Sequence, residues 1–355
     1  MLRKKVLLLG GTGAMGVYLI PELLKKNYQV YVTSRSLRKS SDSNLVYLQG
    51  NAHDTSFLND CLSKQWDAIV DFMIYSTEEF RSRVDLLLSS TKHYLFLSTY
   101  RVFADSSQPI TEYSPRLLDI CEDQDYLETD EYALTKARQE NILREHILKN
   151  WTILRPSITY SKNRFQLATL EAESVILRSK LKLPVAVAES ILNKKTTMTW
   201  AGDVGFMIAS LTNNEAAFSE DFNVVTCESK YWYEIASIYQ ECAELHLFSV
   251  DYESYSKIVD NQYQIKYDRM YNRVMDNSKI LDFINITQDQ LKSVTDGLSE
   301  EVEYGLVHAN SLEFNYSLQG RMDKIVGSKI PLTDANFKNK VKYYLNYINT
   351  KRSWE

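Results

Sequence analysis

Residues 6–16 read Val-Leu-Leu-Leu-Gly-Gly-Thr-Gly-Ala-Met-Gly, and this stretch decides the fold. The chain holds eleven glycines, and four of them (Gly10, Gly11, Gly13, Gly16) fall here, so the cluster is a local device rather than background. The apolar run before it has the length and character of a buried strand. After it, Val17, Leu19, Ile20, Leu23 and Leu24 recur at helical spacing until Lys25-Lys26-Asn27 closes the segment. A glycine turn between a strand and a helix lets backbone N–H groups approach a dinucleotide pyrophosphate, with the helix N-terminus adding partial positive charge. Gly10 allows the sharp bend, Gly13 the close approach, and Gly16 the packing of helix on strand. Thr12, Ala14 and Met15 complete the turn and share in the expected cofactor site.

Outward from this turn the alternation repeats. Apolar runs at Gln29–Thr33, Leu45–Leu48, Ala68–Phe72, Tyr94–Ser98 and Trp151–Arg155 are separated by longer segments, helical in pattern at Thr55–Lys64, Glu78–Thr91 and Glu131–Lys149. Such alternation implies right-handed βαβ crossovers and an α/β fold with a doubly wound parallel (Rossmann) sheet. Past Pro156 the rhythm loosens. Helical patterns run over Glu171–Lys182 and Tyr231–Leu245, a short strand leads into a helix over Thr197–Ile208, and Phe222–Thr226 reads as a strand. The expected division is a dinucleotide-binding domain over 1–160, joined by 196–245, and a smaller substrate-binding domain from 161–195 and 246–320. Residues 321–355 form a basic extension whose tyrosines (Tyr343, Tyr344, Tyr347) are spaced to pack against the body.

With 41 Lys and Arg against 46 Asp and Glu, the net charge is −5 and the pI about 5.7. That balance lacks the basic excess of a nucleic-acid binder. No run approaches the roughly 18 apolar residues of a membrane span, and Val6–Leu9 is too short for a signal peptide. Cys61, Cys121, Cys227 and Cys242 show no paired spacing, which fits a reducing cytoplasm, and the histidines are too scattered for a metal site.

The end of the second strand faces the adenosine ribose, where a carboxylate selects NAD and a small residue followed by Arg suits the 2′-phosphate of NADP. Ser34-Arg35, with Arg38 and Lys39 behind and no carboxylate before Asp42, favours NADP and leaves NAD open. Further on, Tyr132 and Lys136 stand four residues apart in one helical pattern and so share a face. A phenol has an ordinary pKa near 10; a neighbouring ammonium favours the phenolate and fits it to exchange a proton with a sugar hydroxyl. Tyr347 and Lys351 repeat this spacing in the basic tail, where no such context surrounds them.

Taken with Phe96–Ala104 (FLSTYRVFA), Tyr132–Lys136 (YALTK), Ile153–Ser161 (ILRPSITYS) and Thr199–Val204 (TWAGDV), the glycine turn identifies a resemblance. The chain resembles the extended short-chain dehydrogenase/reductases, a family of nucleotide-sugar epimerases, dehydratases and reductases, over residues 4 to 300 or so. The resemblance implies Thr99 as a catalytic hydroxyl with Ser98 beside it, Tyr132 as the acid/base and Lys136 as a ribose-binding cation. It also implies that Pro156 and Ser157 line the nicotinamide and that Phe72, Met73 and Tyr75 line the cofactor channel. Asn51-Ala52 stands where the family carries an Asp near adenine, so that contact is altered.

Departures narrow the expectation. The family's 4,6-dehydratases carry an Asp-Glu pair after the catalytic Thr, and here Tyr100-Arg101 stands instead. Without those carboxyl groups water elimination lacks its acid and base. The Cys and His of the 3,5-epimerising members are also absent from the matching positions. What remains is hydride transfer at a single sugar carbon, commonly carbon 4, by an NAD(P)-dependent nucleotide-sugar epimerase or reductase. Thr99, Tyr100 and Arg101 then face the substrate, while Arg269 and Arg273 are candidates for its diphosphate. A short segment between the fourth and fifth strands weakens, without removing, the expectation of a family-type homodimer. The competing reading is a non-catalytic NAD(P)-sensing or RNA-associated protein on an atypical version of the same fold.

Overall fold

The computed structural model describes residues 3–162 and 164–351. Six strands follow in the expected order: β1 (Lys5–Leu9), β2 (Gln29–Ser34), β3 (Leu45–Gln49), β4 (Ala68–Asp71), β5 (Tyr94–Leu97) and β6 (Trp151–Leu154). After them come β7 (Ile158–Tyr160), β8 (Pro184–Ala188), β9 (Lys195–Trp200), β10 (Glu220–Phe222), β11 (Ser229–Tyr231) and β12 (His246–Val250). The central sheet has seven strands in the order β10-β6-β5-β4-β1-β2-β3, all parallel. The chain reverses direction across the sheet between β1 and β4. Ligands bind outside the carboxyl ends of the strands at such a switch point. Helices cover both faces, which is why Val6 to Leu9 and Ala68 to Val70 are apolar throughout rather than alternating.

Two expected helices are shorter than the sequence pattern implied. The segment after β4 breaks into Thr77–Arg81 and Val84–Ser89, and at the break Arg83 donates to the Ala52 and His53 carbonyls. The long helix ends at Glu145, where His146 leaves helical geometry and its ring meets Asp85.

The smaller lobe is built around a three-stranded sheet (β11-β9-β7) and the pair β12-β8, neither of which periodicity revealed in full. Its boundaries differ from those expected. Helix Trp232–Ala243 buries Trp232, Ile235 and Tyr239 in the small-lobe core rather than returning to the dinucleotide domain. The proposed boundary at 320/321 falls inside helix Tyr316–Val326, whose buried Asp323 accepts from Arg178 and Tyr343. The terminal segment is therefore part of this lobe. Of its tyrosines only Tyr343 is buried; Tyr344 faces outward with Phe337, Leu345 and Ile348 on helix Phe337–Asn349.

Candidate active site

Two hollows meet at the carboxyl edge of the central sheet. One, about 370 Å³, runs from Gly10, Thr12 and Gly13 past Ser34, Arg35, Asn51 and Ala52. The other, about 250 Å³, is lined by Met15, Ser98, Thr99, Tyr100, Tyr132, Lys136, Pro156 and Ser157. Phe72 and Ile74 line both, so the two form one trough. Its lining, with the glycine turn and Arg35 in one hollow and Tyr132 and Lys136 in the other, suits a nicotinamide dinucleotide.

The glycine turn fits that group. A Cβ built on Gly13 meets nothing nearer than the Gly10 carbonyl at 4.0 Å, so packing does not explain a glycine there; free space above the backbone does. Gly16 is the opposite case, since its Cβ would lie 2.2 Å from the Gly11 carbonyl oxygen. Gly11 and Gly16 are buried supports of the turn, and neither they nor Ala14 line the trough. Two substitutions separate these jobs. Gly13→Ala is expected to keep the thermal midpoint within about 2 °C while weakening cofactor binding about tenfold or more, whereas Gly16→Ala should lower the midpoint by several degrees. Differential scanning fluorimetry with and without NADPH reads both.

Strands β5 and β6 stay hydrogen-bonded past their ends, Ser98 N–H to Leu154 O and Tyr100 N–H to Pro156 O. This zipper brings Thr99 beside Pro156 and Ser157. Helix Tyr132–Glu145 then lays one face along the same edge, with Tyr132, Lys136 and Glu140 on successive turns. Glu131 caps the helix by accepting from Ala133 N–H at 2.8 Å. Gln139 donates to the Tyr75 carbonyl at 2.8 Å and Lys136 Nζ to the Met73 carbonyl at 3.3 Å, which pins the loop lining the trough.

Burial pushes the Tyr132 phenol above its ordinary pKa; Arg101, Arg164 and the Thr99 hydroxyl oppose this. The Arg101 guanidinium sits 5.4 Å from the ring centroid. Arg101 and Arg164 thus favour the phenolate, the part that the sequence assigns to Lys136. Lys136 is buried over the Phe96 ring, and burial brings its ammonium down to about 8 against the pull of Asp71 and Glu140. Asp71 is itself raised by burial, although Met73 N–H, Tyr94 and Lys136 counter it. Between pH 8 and 10.5 the unfolded chain therefore binds more protons at Lys136 than the folded one, and stability rises with pH. Relative to Lys136→Met, the wild type should gain about 3 kcal/mol between pH 7.5 and 10.5 in urea unfolding; parallel curves would show an unperturbed ammonium.

Other expected site residues land elsewhere. Tyr75 is buried against Phe80 beneath the edge and lines neither hollow; exposed Ile74 takes that place because the chain turns after β4. Arg273 is not free for a diphosphate. It donates to Asp268, to the Phe103 and Ala104 carbonyls and to Tyr267 O. Arg269 does line the inner hollow, while holding Tyr100, Asp268, Gln166 and the Ala168 carbonyl. Asp268 is thus the hub of three arginines, and although burial works against its ionised form their charges hold its carboxyl below the ordinary value. Sequence reasoning missed Glu131, Arg164 and Asp268. Only the run of charge around Arg269 hinted at the last.

A sequence profile of the NAD dependent epimerase/dehydratase family matches residues 6–224. The chain belongs to that family. Among characterised proteins it is 25% identical over 236 residues to the chloroplast stem-loop binding protein of 41 kDa b of Arabidopsis thaliana. That match spans 62% of this chain and 58% of the relative, so it leaves much of the relative's length uncovered. Among solved structures, the fold is similar to that of the epimerase Mth375 from Methanothermobacter thermautotrophicus, at 15% identity and a TM-score of 0.69, covering 87% of this chain and 94% of that one. It is also similar to DesIV, the dTDP-glucose 4,6-dehydratase of Streptomyces venezuelae with NAD and TYD bound, at 17% identity and a TM-score of 0.68, over 87% and 99% of the two chains. At these identities the likeness is one of fold. Among the described residues no helix is long and apolar enough to cross a membrane, and no group of three or more His, Cys, Asp or Glu converges to hold a metal.

Proposed function

We propose that the protein is a nicotinamide-dependent oxidoreductase or epimerase acting at one carbon, carbon 4, of a nucleotide-linked sugar. The observation that carries this reading is the meeting of Thr99 and Tyr132 in a hollow continuous with the glycine-turn trough. When bound, a nicotinamide dinucleotide would supply or accept the hydride. Gly10, Thr12 and Gly13 would hold its pyrophosphate, Arg35 and Ser34 the adenosine ribose, and Pro156 and Ser157 the nicotinamide. Thr99 would hydrogen-bond the reacting oxygen, and Tyr132 would move the proton to or from it. Burial favours the neutral phenol, which suits proton donation to a forming alkoxide and so the reductive direction.

Water elimination finds no support in this geometry. Among the described residues no carboxylate lines the inner hollow. Arg35 at the other end, again without a lining carboxylate, favours NADP. A cytoplasmic setting fits the four free cysteines. The relative named for stem-loop binding raises an RNA-associated reading; the net charge of −5 speaks against it.

The test is to denature freshly purified protein and identify any nucleotide released, then to titrate the empty protein with NADPH and NADH. Stoichiometric NAD⁺ would mean a retained, recycled cofactor, an epimerase, and no role for Arg35 in cofactor choice. An empty protein that binds NADPH at least about tenfold more tightly is the result expected for a reductase. Failure to bind either would end the enzymatic reading.

A further inference from the structure

The inner hollow holds an uncompensated positive charge. Arg101, Arg164 and Arg269 line it, and Arg273 stands directly behind. Among the described residues, two carboxylates reach these four guanidinium groups, Asp268 and Glu131. Arg101 gives one Nη to Glu131 at 2.6 Å. Its buried Nε faces Asp268 at 3.6 Å, an ion-pair distance, and among the described residues has no hydrogen-bond partner. Arg164 is exposed and lines the hollow; its backbone pairs with Ser161, but among the described residues its guanidinium makes no hydrogen bond or ion pair. Buried and half-buried charge of one sign is costly unless a counter-charge arrives. The cofactor pyrophosphate does not supply it, because its cradle lies at the glycine turn, in the other hollow.

We infer that the substrate carries an anionic group on the reacting ring itself, a carboxylate or phosphate held by Arg101 and Arg164 beside Tyr132. The position of the charge argues for the ring rather than for the diphosphate. Arg101 lies 5.4 Å from the Tyr132 ring, so both address neighbouring atoms of one small molecule. In a hexose linked to its nucleotide through carbon 1, carbon 4 lies across the ring from the diphosphate and next to the carbon that bears carbon 6. An oxidised carbon 6, as in a uronic acid, would meet Arg101 when the carbon-4 hydroxyl meets Tyr132. Guanidinium forks pair bidentately with such oxyanions. This inference rests on the sugar-acting reading above and narrows it.

The experiment is isothermal titration of the full-length protein, loaded with whichever oxidised nicotinamide dinucleotide it binds more tightly, with UDP-glucuronate, UDP-glucose and glucose 6-phosphate. Wild type, Arg101→Met and Arg164→Gln are compared. The expected result is UDP-glucuronate binding at least about tenfold tighter than UDP-glucose, the preference falling to about twofold in either variant. Arg101 also serves Glu131, so its loss can disturb the fold; exposed Arg164 has no such second duty and keeps the test decisive. Equal binding of the two UDP-sugars would overturn the inference and leave the nucleotide-sugar reading standing. Binding of glucose 6-phosphate alone, abolished in the variants, would uphold the anion site and overturn the nucleotide. Binding of none of the three would overturn both.

Discussion

Tyr132→Phe should lower kcat by about 10²- to 10⁴-fold, the usual worth of a positioned acid or base, while cofactor affinity stays within about twofold. The substitution removes one oxygen and keeps the ring, so the Arg101 stacking and the start of the helix persist. The cofactor contacts proposed above would come from the glycine turn and the ends of β2, β5 and β6, and would not depend on the phenol oxygen. Initial rates with a nucleotide sugar and fluorescence titration of the nicotinamide separate the two effects. Retention of more than about a tenth of the turnover would remove Tyr132 from the chemistry. The pH profile adds a sign. Oxidation needs the phenolate, burial opposes it, and Arg101 and Arg164 favour it. The oxidative rate should therefore rise with pH, and Arg101→Met should move that limb to higher pH.

How far the site was legible follows from which interactions are local. The glycine turn, the order of the first six strands and the Tyr132–Lys136 face are short-range patterns, and each stands where the pattern put it. Arg101 was visible only as a departure from the Asp-Glu pair. Its closeness to Tyr132 depends on the turn Tyr100–Val102, where Thr99 Oγ1 accepts from Arg101 N–H at 3.2 Å. Arg273 misled because an arginine's spare donors are a tertiary property; the distant Phe103 and Ala104 carbonyls, with Asp268 and the Tyr267 carbonyl one turn or so back, consume them. Tyr75 misled for a smaller reason, since one residue of shift after β4 exchanges it with Ile74. Strands β7, β8 and β12 belong to small sheets whose pairing partners lie far along the chain, and three to five residues carry too little periodicity to declare them.

The charged network behind the site yields the largest expected loss of stability. Glu140, one turn past Lys136, is fully buried and accepts from Arg155 at 2.7 and 2.8 Å, from Ser98 at 2.6 Å and from Arg116 at 3.1 Å. Arg155 is equally buried, so Glu140 is the counter-charge that allows it to sit under β6. Burial alone would raise the Glu140 pKa, but Arg155 and its neighbours outweigh it and pull the carboxyl from 4.5 down to about 2. Glu140→Ala leaves that guanidinium with Asp221 as its one carboxylate partner among the described residues, beside the Glu112 carbonyl, and should cost about 3–5 kcal/mol in urea unfolding. A folded pKa below the unfolded one means stability that is present above pH 4.5 and lost as pH falls toward 2, about 3 kcal/mol over that window. The variant should lack this acid limb. Lys136 runs the other way: its pKa is also lowered, but for an ammonium that means a charge the fold bears at neutral pH rather than one that supports it. Along one helix face, then, the group that touches the trough costs stability and the group one turn behind supplies it. A Glu140→Ala variant as stable as wild type at pH 7 would break that account, because Arg155 would then need no buried partner.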